Sequence, residues 1–153
     1  MISNQRNVER MRGWDITSPE TEGFHPCIVP DVQDCKSVHI YRLNLSAGKH
    51  FTLESGQLEM NPVLIKGKAK VACPAFQEEM DAKDSFYIPG KTTVEIDAVE
   101  DVIFYIGAAV CEGYGAPFFR KFDLSLPLGE IHQIHGHGVG QREVFFTLNP
   151  QMP

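Results

Sequence analysis

The chain has 153 residues, of which 42% are hydrophobic, and it carries a formal net charge of −6. This length and composition predict one domain with a sizeable core, and the negative charge disfavours nucleic acid and anionic membrane surfaces as partners, because both require a positive patch. No window approaches about 18 consecutive apolar residues, and the beginning of the chain lacks the apolar run of a signal peptide. We therefore expect a cytoplasmic protein that binds neither nucleic acid nor membranes.

The N-terminal part of the chain, residues 1–36, is punctuated by glycine and proline. This pattern predicts an irregular arm with one short edge strand and a short helical turn over residues 7–12. Trp14, Phe24 and Ile28 are large apolar groups in this arm, and they need a surface on which to be buried. We expect the arm to pack on the wall of its own domain, with a partner subunit as the alternative.

Short apolar segments separated by turn residues recur from residue 37 onward. The segments 85–88 and 92–96 flank Pro89-Gly90, and the nearly continuous apolar run from Val102 to Val110 predicts a buried central strand. Regularly spaced short strands predict a small closed β-barrel or double sheet. The expected core residues are Leu43, Leu45, Val63, Ile65, Val71, Phe86, Ile88, Val94, Ile96, Ile103, Tyr105 and Val110.

Gly67 separates two strand-like segments, residues 58–66 and 68–73. Because glycine readily adopts positive φ, this arrangement predicts a tight β-hairpin. Pro62 lies inside the first segment and has no backbone N–H to donate, which predicts either an edge strand or a bulge at that position.

The cysteines have no C-x-x-C pairing, and we expect them to be free thiols that form neither disulfides nor metal sites. They are Cys27, Cys35, Cys73 and Cys111.

The order of strands and turns resembles a cupin barrel. Metal-binding cupins place an H-x-H pair and a glutamate before a glycine turn and a third histidine after the P-x-G turn. Alternate residues of a strand share a face, so the two histidines of the pair can converge on one ion. The corresponding positions here are Thr52, Glu54 and Glu59, followed by Thr93 or Val94. Since three imidazoles are missing, we predict no bound metal and no cofactor.

Two further histidine features invite a metal interpretation. His50 lies near the first motif, yet it has no partner two residues on, and a hydrogen-bonded surface histidine is the favoured interpretation. The H-x-H formed by His135 and His137, together with His132, invites a zinc site. The flanking glycines and the absence of a nearby acidic or cysteine ligand favour a flexible polar loop near an opening or an interface instead.

Four segments carry a more specific resemblance: YRLNLSAG at 41–48, VLIKGKAKV at 63–71, DSFYIPGKTTVEI at 84–96 and HGVGQREVFFTLNP at 137–150. Over residues 37–149 the chain resembles the amino-terminal half of the two-cupin sugar-acid isomerases. These are 5-deoxyglucuronate isomerase of inositol catabolism and its relative 5-keto-4-deoxyuronate isomerase. The resemblance implies an all-β fold: a single cupin-like (jelly-roll) barrel over residues 37–153, preceded by the arm 1–36.

The resemblance also implies a division of labour. In that family the first cupin has lost its metal ligands, and the second binds the catalytic divalent metal. This sequence ends at Pro153, where the second cupin would begin, so none of the family's catalytic residues can be assigned here. Only residues 140–143, which join the two halves, carry over.

Three functions remain open. The first is aldose–ketose isomerisation of a sugar acid through an enediol, with Glu54, Glu59 and His50 as candidate catalytic residues. Arg42, Arg120 and Arg142 are the candidate contacts for a substrate carboxylate. The second is a non-catalytic module that binds a sugar acid or mediates oligomerisation, and the third is a stand-alone small cupin enzyme. Exposed strand edges and the apolar arm predict a homodimer or larger homo-oligomer.

Overall fold

The computed structural model describes residues 15–33, 35–111 and 113–148. The helical turn expected over residues 7–12 and the side chain of Trp14 lie outside these ranges. The described residues form twelve β-strands and a single turn of 3-10 helix at Gly138–Gly140. The strands are β1 (Gly23–Ile28), β2 (Val38–Leu45), β3 (His50–Glu54), β4 (Leu58–Lys66), β5 (Ala69–Cys73), β6 (Phe76–Met80), β7 (Ser85–Tyr87), β8 (Thr93–Ala98), β9 (Val102–Val110), β10 (Phe118–Arg120), β11 (His132–His135) and β12 (Arg142–Phe145).

Two antiparallel sheets build the domain. A larger sheet has the strand order β1-β2-β9-β4-β7-β10, and a smaller sheet has the order β3-β8-β5-β6, while β11 and β12 form a separate hairpin. The all-β prediction is therefore confirmed. Strand β1 comes from the predicted arm and pairs with β2 at one edge of the larger sheet. No helix in the described part of the chain is long and apolar enough to cross a membrane.

The core lies between the two sheets, because strand alternation turns one face of each sheet toward the other. The largest fully buried side chains belong to both sheets and include Phe86, Phe104, Leu53 and Ile96. Phe24 of β1 packs against this core and stacks on Tyr41 with a ring-centroid distance of 4.8 Å. Phe24 thus lies on the core of its own domain.

The predicted core is correct on four strands, β2, β5, β7 and β8, and at Ile88 just after β7, and it is wrong on two strands. Leu43, Leu45, Val71, Phe86, Ile88, Val94 and Ile96 are buried as predicted. On β4 and β9 the inward residues are instead their neighbours, among them Leu64, Phe104 and Ile106. Both strands carry apolar residues on both faces, so the sequence did not distinguish the two sides. The wrongly placed residues are Val63, Ile103 and Tyr105, which are half-buried, and Ile65 and Val110, which are exposed.

The prediction of a hairpin at Gly67 is wrong. Strand β4 pairs with β9 and β7 in the larger sheet, whereas β5 pairs with β6 and β8 in the smaller sheet. The chain therefore crosses from one sheet to the other at Gly67, which has a φ of +84°. A side chain at this position would collide with the backbone carbonyl oxygen of Asp101. Glycine is required here both for its positive φ and for the close approach of two backbone segments.

The prediction for Pro62 is also wrong, because β4 is an interior strand and its bulge lies later, between Leu64 and Lys66. Met60 donates its backbone N–H to Ile88 O, just after β7, and Leu64 donates its backbone N–H to Asp84 O, just before β7. Pro62 occupies the intervening position of the ladder and has no N–H.

Asn61 supplies the donor that Pro62 lacks. Its Nδ2 atom donates a hydrogen bond to the carbonyl oxygen of Phe86 at 2.8 Å. A buried carbonyl without a donor costs free energy, so the side chain of Asn61 stabilises the interior position of the proline.

Asp84 fixes the chain that follows β9 to the barrel. Its carboxylate is buried and accepts hydrogen bonds from the backbone N–H of Asp81 at 2.7 Å and of Phe122 at 2.8 Å. Lys121 Nζ lies 2.9 Å from the same carboxylate. A buried charge that is both paired and hydrogen-bonded is a stable arrangement, and it anchors the segment after β10 against the turn before β7.

We predict that Gly67→Ala destabilises the protein more than Gly48→Ala. Both glycines have positive φ, +84° and +78°, so each alanine costs about 1 kcal/mol of backbone strain. Only at Gly67 does the added methyl group meet backbone atoms, whereas the space at Gly48 is open. The clash should add about 2 kcal/mol to the cost at Gly67, measured as the difference in unfolding free energy in urea. Equal destabilisation of the two variants would contradict the close approach at Gly67.

Candidate functional site

The candidate catalytic residues lie on two opposite outer faces of the domain. On β3, Leu53 is buried in the core, so His50 and Glu54 are on the solvent side of the smaller sheet. On β4, Met60 is buried and Glu59 is on the outer side of the larger sheet. The hydrophobic core separates these faces, so Glu59 cannot act on the same substrate atom as His50 and Glu54.

The space between the sheets does not fit the metal that cupin relatives imply. Thr52 is exposed with its neighbours on β3, and the inward positions there and on β8 are Leu53, Val94 and Ile96. Aliphatic side chains offer no oxygen, nitrogen or sulfur ligand to a cation. Among the described residues no three His, Cys, Asp or Glu side chains cluster closely enough to hold a metal ion.

The cysteines are half-buried and form no disulfide. Three of them direct their sulfur atoms at backbone carbonyls: Cys27 Sγ lies 3.9 Å from His25 O, Cys35 Sγ lies 3.4 Å from Val38 O, and Cys111 Sγ lies 3.9 Å from Tyr114 O. Thiols in such weak contacts serve as small packing groups.

His50 is held between two carboxylates on the outer face of the smaller sheet. Its Nδ1 atom lies 2.7 Å from Asp97 Oδ1, and its Nε2 atom lies 2.8 Å from Glu95 Oε2. Both ring nitrogens can donate only when the imidazole is protonated. The hydrogen bond to Asp97 raises the pKa of His50 most, partial desolvation opposes it, and the charges of Asp97 and Glu95 add to the increase. The two carboxylates thus favour the protonated form of His50, which disfavours a role as a neutral base.

We predict that Asp97→Asn lowers the pKa of His50, because it removes the main hydrogen bond that favours the imidazolium. The stability contributed by this raised pKa is fully present below the unfolded value, about 6.5, and is lost as pH rises through the folded value. The pH dependence of the His50 ring Cε1–Hε1 signal in NMR measures the change. Glu54→Gln is the control, since Glu54 is exposed on the same strand. A titration curve of His50 unaltered by Asp97→Asn would refute the pairing.

Arg42 is engaged within the protein. Its Nε atom donates to Asn44 Oδ1 at 2.7 Å, and its Nη1 atom donates to Ser18 Oγ at 3.2 Å. The guanidinium carbon also lies 5.9 Å from the centre of the Tyr105 ring. These contacts hold Arg42 against the outer face of β2 and β9.

The three candidate arginines do not converge on one carboxylate. Arg120 lies on β10 and donates from Nη1 to Phe146 O at 3.1 Å, and partial burial lowers its pKa. Its strand is four positions from the strand of Arg42 in the larger sheet, a separation of roughly 19 Å at the usual strand spacing. Arg142 is exposed on β12, in the separate hairpin.

His132 and His135 of the candidate zinc site also lie apart. His132 is buried, its Nδ1 lies 2.8 Å from Leu126 O, and its ring stacks on Phe145 at 4.3 Å. His135 Nε2 lies 2.9 Å from Gln133 Oε1 on the exposed side of β11. The expected flexible loop is therefore in part a β-hairpin, with β11 and β12 joined by the 3-10 turn.

The outer face of the larger sheet carries a site of which the sequence analysis identified only Glu59. Tyr87 Oη donates to Glu59 Oε2 at 2.9 Å and lies 3.2 Å from Tyr114 O. The Tyr87 ring stacks on Phe118 at 5.4 Å. Burial, followed by the hydrogen bond to Glu59, raises the pKa of Tyr87, so its hydroxyl stays protonated as a donor. The carbonyl oxygen of Tyr114 and the ring of Phe118 therefore hold Tyr87 in the position from which it donates to Glu59.

A groove of about 250 Å³ opens beside this pair. Little in the sequence indicates this groove, because Tyr87 and Asn61 come from different strands and Gly107 is one small residue in an apolar run. The groove is lined by Glu59, Asn61, Tyr87, Gly107, Ala109 and Leu148, together with parts of their neighbours.

Residues 17–145 match the KduI/IolB family. The chain belongs to the KduI/IolB family. The resemblance to the sugar-acid isomerase family is thereby confirmed. The chain is a cupin-family protein related to sugar isomerases. No curated protein sequence matches the chain.

Solved structures agree with the family assignment. An IolB-like protein from Salmonella typhimurium LT2 matches with a TM-score of 0.68 and 19% identity, over 90% of this chain and 55% of that protein. An RmlC-like cupin protein with a double-stranded β-helix fold from Methanocaldococcus jannaschii matches with a TM-score of 0.51 and 13% identity, over 62% of this chain and 88% of that one.

A third match is the cupin domain of Cnp3 from Schizosaccharomyces pombe. Its TM-score is 0.50 and its identity is 20%, over 57% of this chain and 64% of that one. These likenesses confirm the predicted cupin-like barrel. The chain spans only about half the length of the IolB-like protein, 55%.

Proposed function

We propose that this domain is the non-catalytic barrel of a sugar-acid aldose–ketose isomerase in carbohydrate or inositol catabolism. The reaction class comes from membership of the KduI/IolB family. The non-catalytic role is supported by one observation above the others: the space between the sheets is filled by aliphatic and aromatic side chains such as Leu53, Val94 and Phe104. In this role the domain provides a rigid, folded surface that the rest of the isomerase contacts.

The chemistry explains why the filled interior matters. Aldose–ketose isomerisation moves a proton between adjacent carbons through an enediol, which requires a base, an acid and a group that stabilises the developing oxyanion. In many enzymes that stabilisation is worth several kcal/mol and comes from a metal ion or from converging donors. The inward faces of β3 and β8 supply neither, because their side chains are apolar.

A stand-alone enzyme is the competing function, and it would have to use the outer faces. His50 is held between two carboxylates in open solvent, while Glu59 is bound to Tyr87 on the opposite side of the domain. Glu54 is exposed on the same side as His50. An acid and a base on one substrate must lie within hydrogen-bond reach of the same few atoms, which this arrangement does not provide.

We expect the chain of this sequence to fold and yet to leave sugar acids unchanged. The purified protein is incubated with 5-deoxyglucuronate or 5-keto-4-deoxyuronate, with and without added manganese or zinc. Formation of the isomer is followed by NMR, with an active 5-keto-4-deoxyuronate isomerase as the positive control. No turnover above the rate in buffer is expected, because the inward side chains of β3 and β8 are apolar and no three metal-ligating side chains cluster among the described residues.

The same assay identifies the competing function. Turnover that persists in the presence of a chelator and disappears in Glu54→Gln or Glu59→Gln would contradict the proposal and assign catalysis to an outer face. Arg120→Ala and Arg142→Ala then test whether either arginine binds the substrate carboxylate. Lys91→Ala, outside the candidate set, is the control for nonspecific loss.

We also propose that the protein associates into a homo-oligomer. Phe24 no longer supports this proposal, because it packs on its own core. Exposed apolar residues remain on the described surface, and Val110, Leu124, Leu128 and Val139 are each at least 60% exposed. Such a surface is commonly covered in an assembly.

We expect light scattering at micromolar concentrations to give at least twice the monomer mass. Leu124→Ser and Val139→Ser lie in exposed positions and should weaken association without altering the core. Thr92→Ser is a matched control away from these residues. A monomer mass at every concentration would contradict the proposal.

A further inference from the structure

The groove on the outer face of the larger sheet has an open floor made by β9. Gly107 and Ala109 lie opposite Asn61 and Glu59 of β4 in the register of the sheet. A side chain added at Gly107 would meet no atom within 4 Å. The preceding outward residue of β9 is the much larger Tyr105. The surface of the sheet is therefore recessed at Gly107 and Ala109.

The polar wall of the groove is held in place before any ligand binds. Tyr87 donates a hydrogen bond to Oε2 of Glu59, at 2.9 Å, and no described residue donates to Oε1. Asn61 is fixed at both ends of its amide: Nδ2 donates to Phe86 O at 2.8 Å, and Oδ1 accepts from Thr147 Oγ1 at 2.5 Å. One Nδ2 hydrogen of Asn61 is left over. The groove therefore offers a fixed carboxylate acceptor next to a fixed amide donor.

The size and charge of the groove limit what it can bind. Its volume of about 250 Å³ is smaller than the roughly 300–1,000 Å³ of sites for drug-sized ligands. Among the described residues that line the groove, Glu59 alone is charged. A carboxylate ligand would be repelled by it, whereas hydroxyl groups would donate to it.

We propose that this groove binds a neutral monosaccharide. The apolar C–H face of the sugar ring lies on the backbone and methyl groups of Gly107 and Ala109. One ring hydroxyl donates to Oε1 of Glu59, and a neighbouring hydroxyl accepts from Nδ2 of Asn61. Leu148 covers the edge of the sugar. The charge of Glu59 makes the groove discriminate against sugar acids.

Saturation-transfer NMR with the whole chain tests this site, with methyl α-glucoside as the neutral probe and glucuronate as the charged probe of similar size. At pH 8 we expect saturation of the glucoside ring protons, and a dissociation constant for glucuronate that is about fivefold higher because of like-charge repulsion. Glu59→Gln should remove that difference. Gly107→Val should abolish the glucoside signal, since it fills the floor without touching a polar group.

The controls separate binding from folding. Gly107→Val projects into open space and should retain the melting temperature of the parent protein, and Gly107→Ala should give a partial loss of signal. Glu54→Gln, on the opposite face, should leave binding unchanged. Absence of glucoside saturation in the parent protein, retention of it in Gly107→Val, or equal affinity for glucuronate would overturn the proposal. Displacement of the glucoside by butylamine at lower concentration would overturn it in favour of a cation site.

Discussion

The close packing of apolar side chains between the two sheets is the constraint on which the rest of the structure depends. Phe86 and Phe104 of the larger sheet face Leu53, Val94 and Ile96 of the smaller one, and all five are at most 1% exposed. Each fully buried side chain of this kind contributes about 1.5–3 kcal/mol relative to the exposed state. Among the described residues, the inward side chains of these strands are apolar, and the polar contacts of the candidate residues lie on the outer faces.

The two outer faces differ in how they meet solvent. The outer face of the smaller sheet carries exposed charged pairs such as Lys70 with Glu79 and His50 with Asp97, which contribute little stability in water. The outer face of the larger sheet is partly covered by other segments of the chain: Ser18 contacts Tyr105, Tyr114 contacts Tyr87, and Thr147 contacts Asn61. Fixed polar groups and a recess occur together on this covered face.

The same covering segments connect the fold to the candidate site. Asp84 holds the segment after β10 against the barrel, and Phe118 of β10 stacks on Tyr87. Tyr87 in turn orients Glu59. Asn61 serves both purposes, because it replaces the missing N–H of Pro62 in the sheet and forms part of the groove wall. The stability of this face and the proposed binding therefore depend on overlapping hydrogen bonds.

The sequence by itself determined the all-β class, most strand positions and the family, because alternation and turn residues are local properties of the chain. It also showed that imidazoles are missing from the cupin ligand positions. The tertiary structure alone decided that β4 and β5 lie in different sheets, and which faces of β4 and β9 are buried. It also brought Glu59 to Tyr87 while keeping it apart from His50. Strand pairing and burial depend on contacts between residues far apart in the chain, and a strand with apolar residues on both sides contains no local signal for which side faces the core.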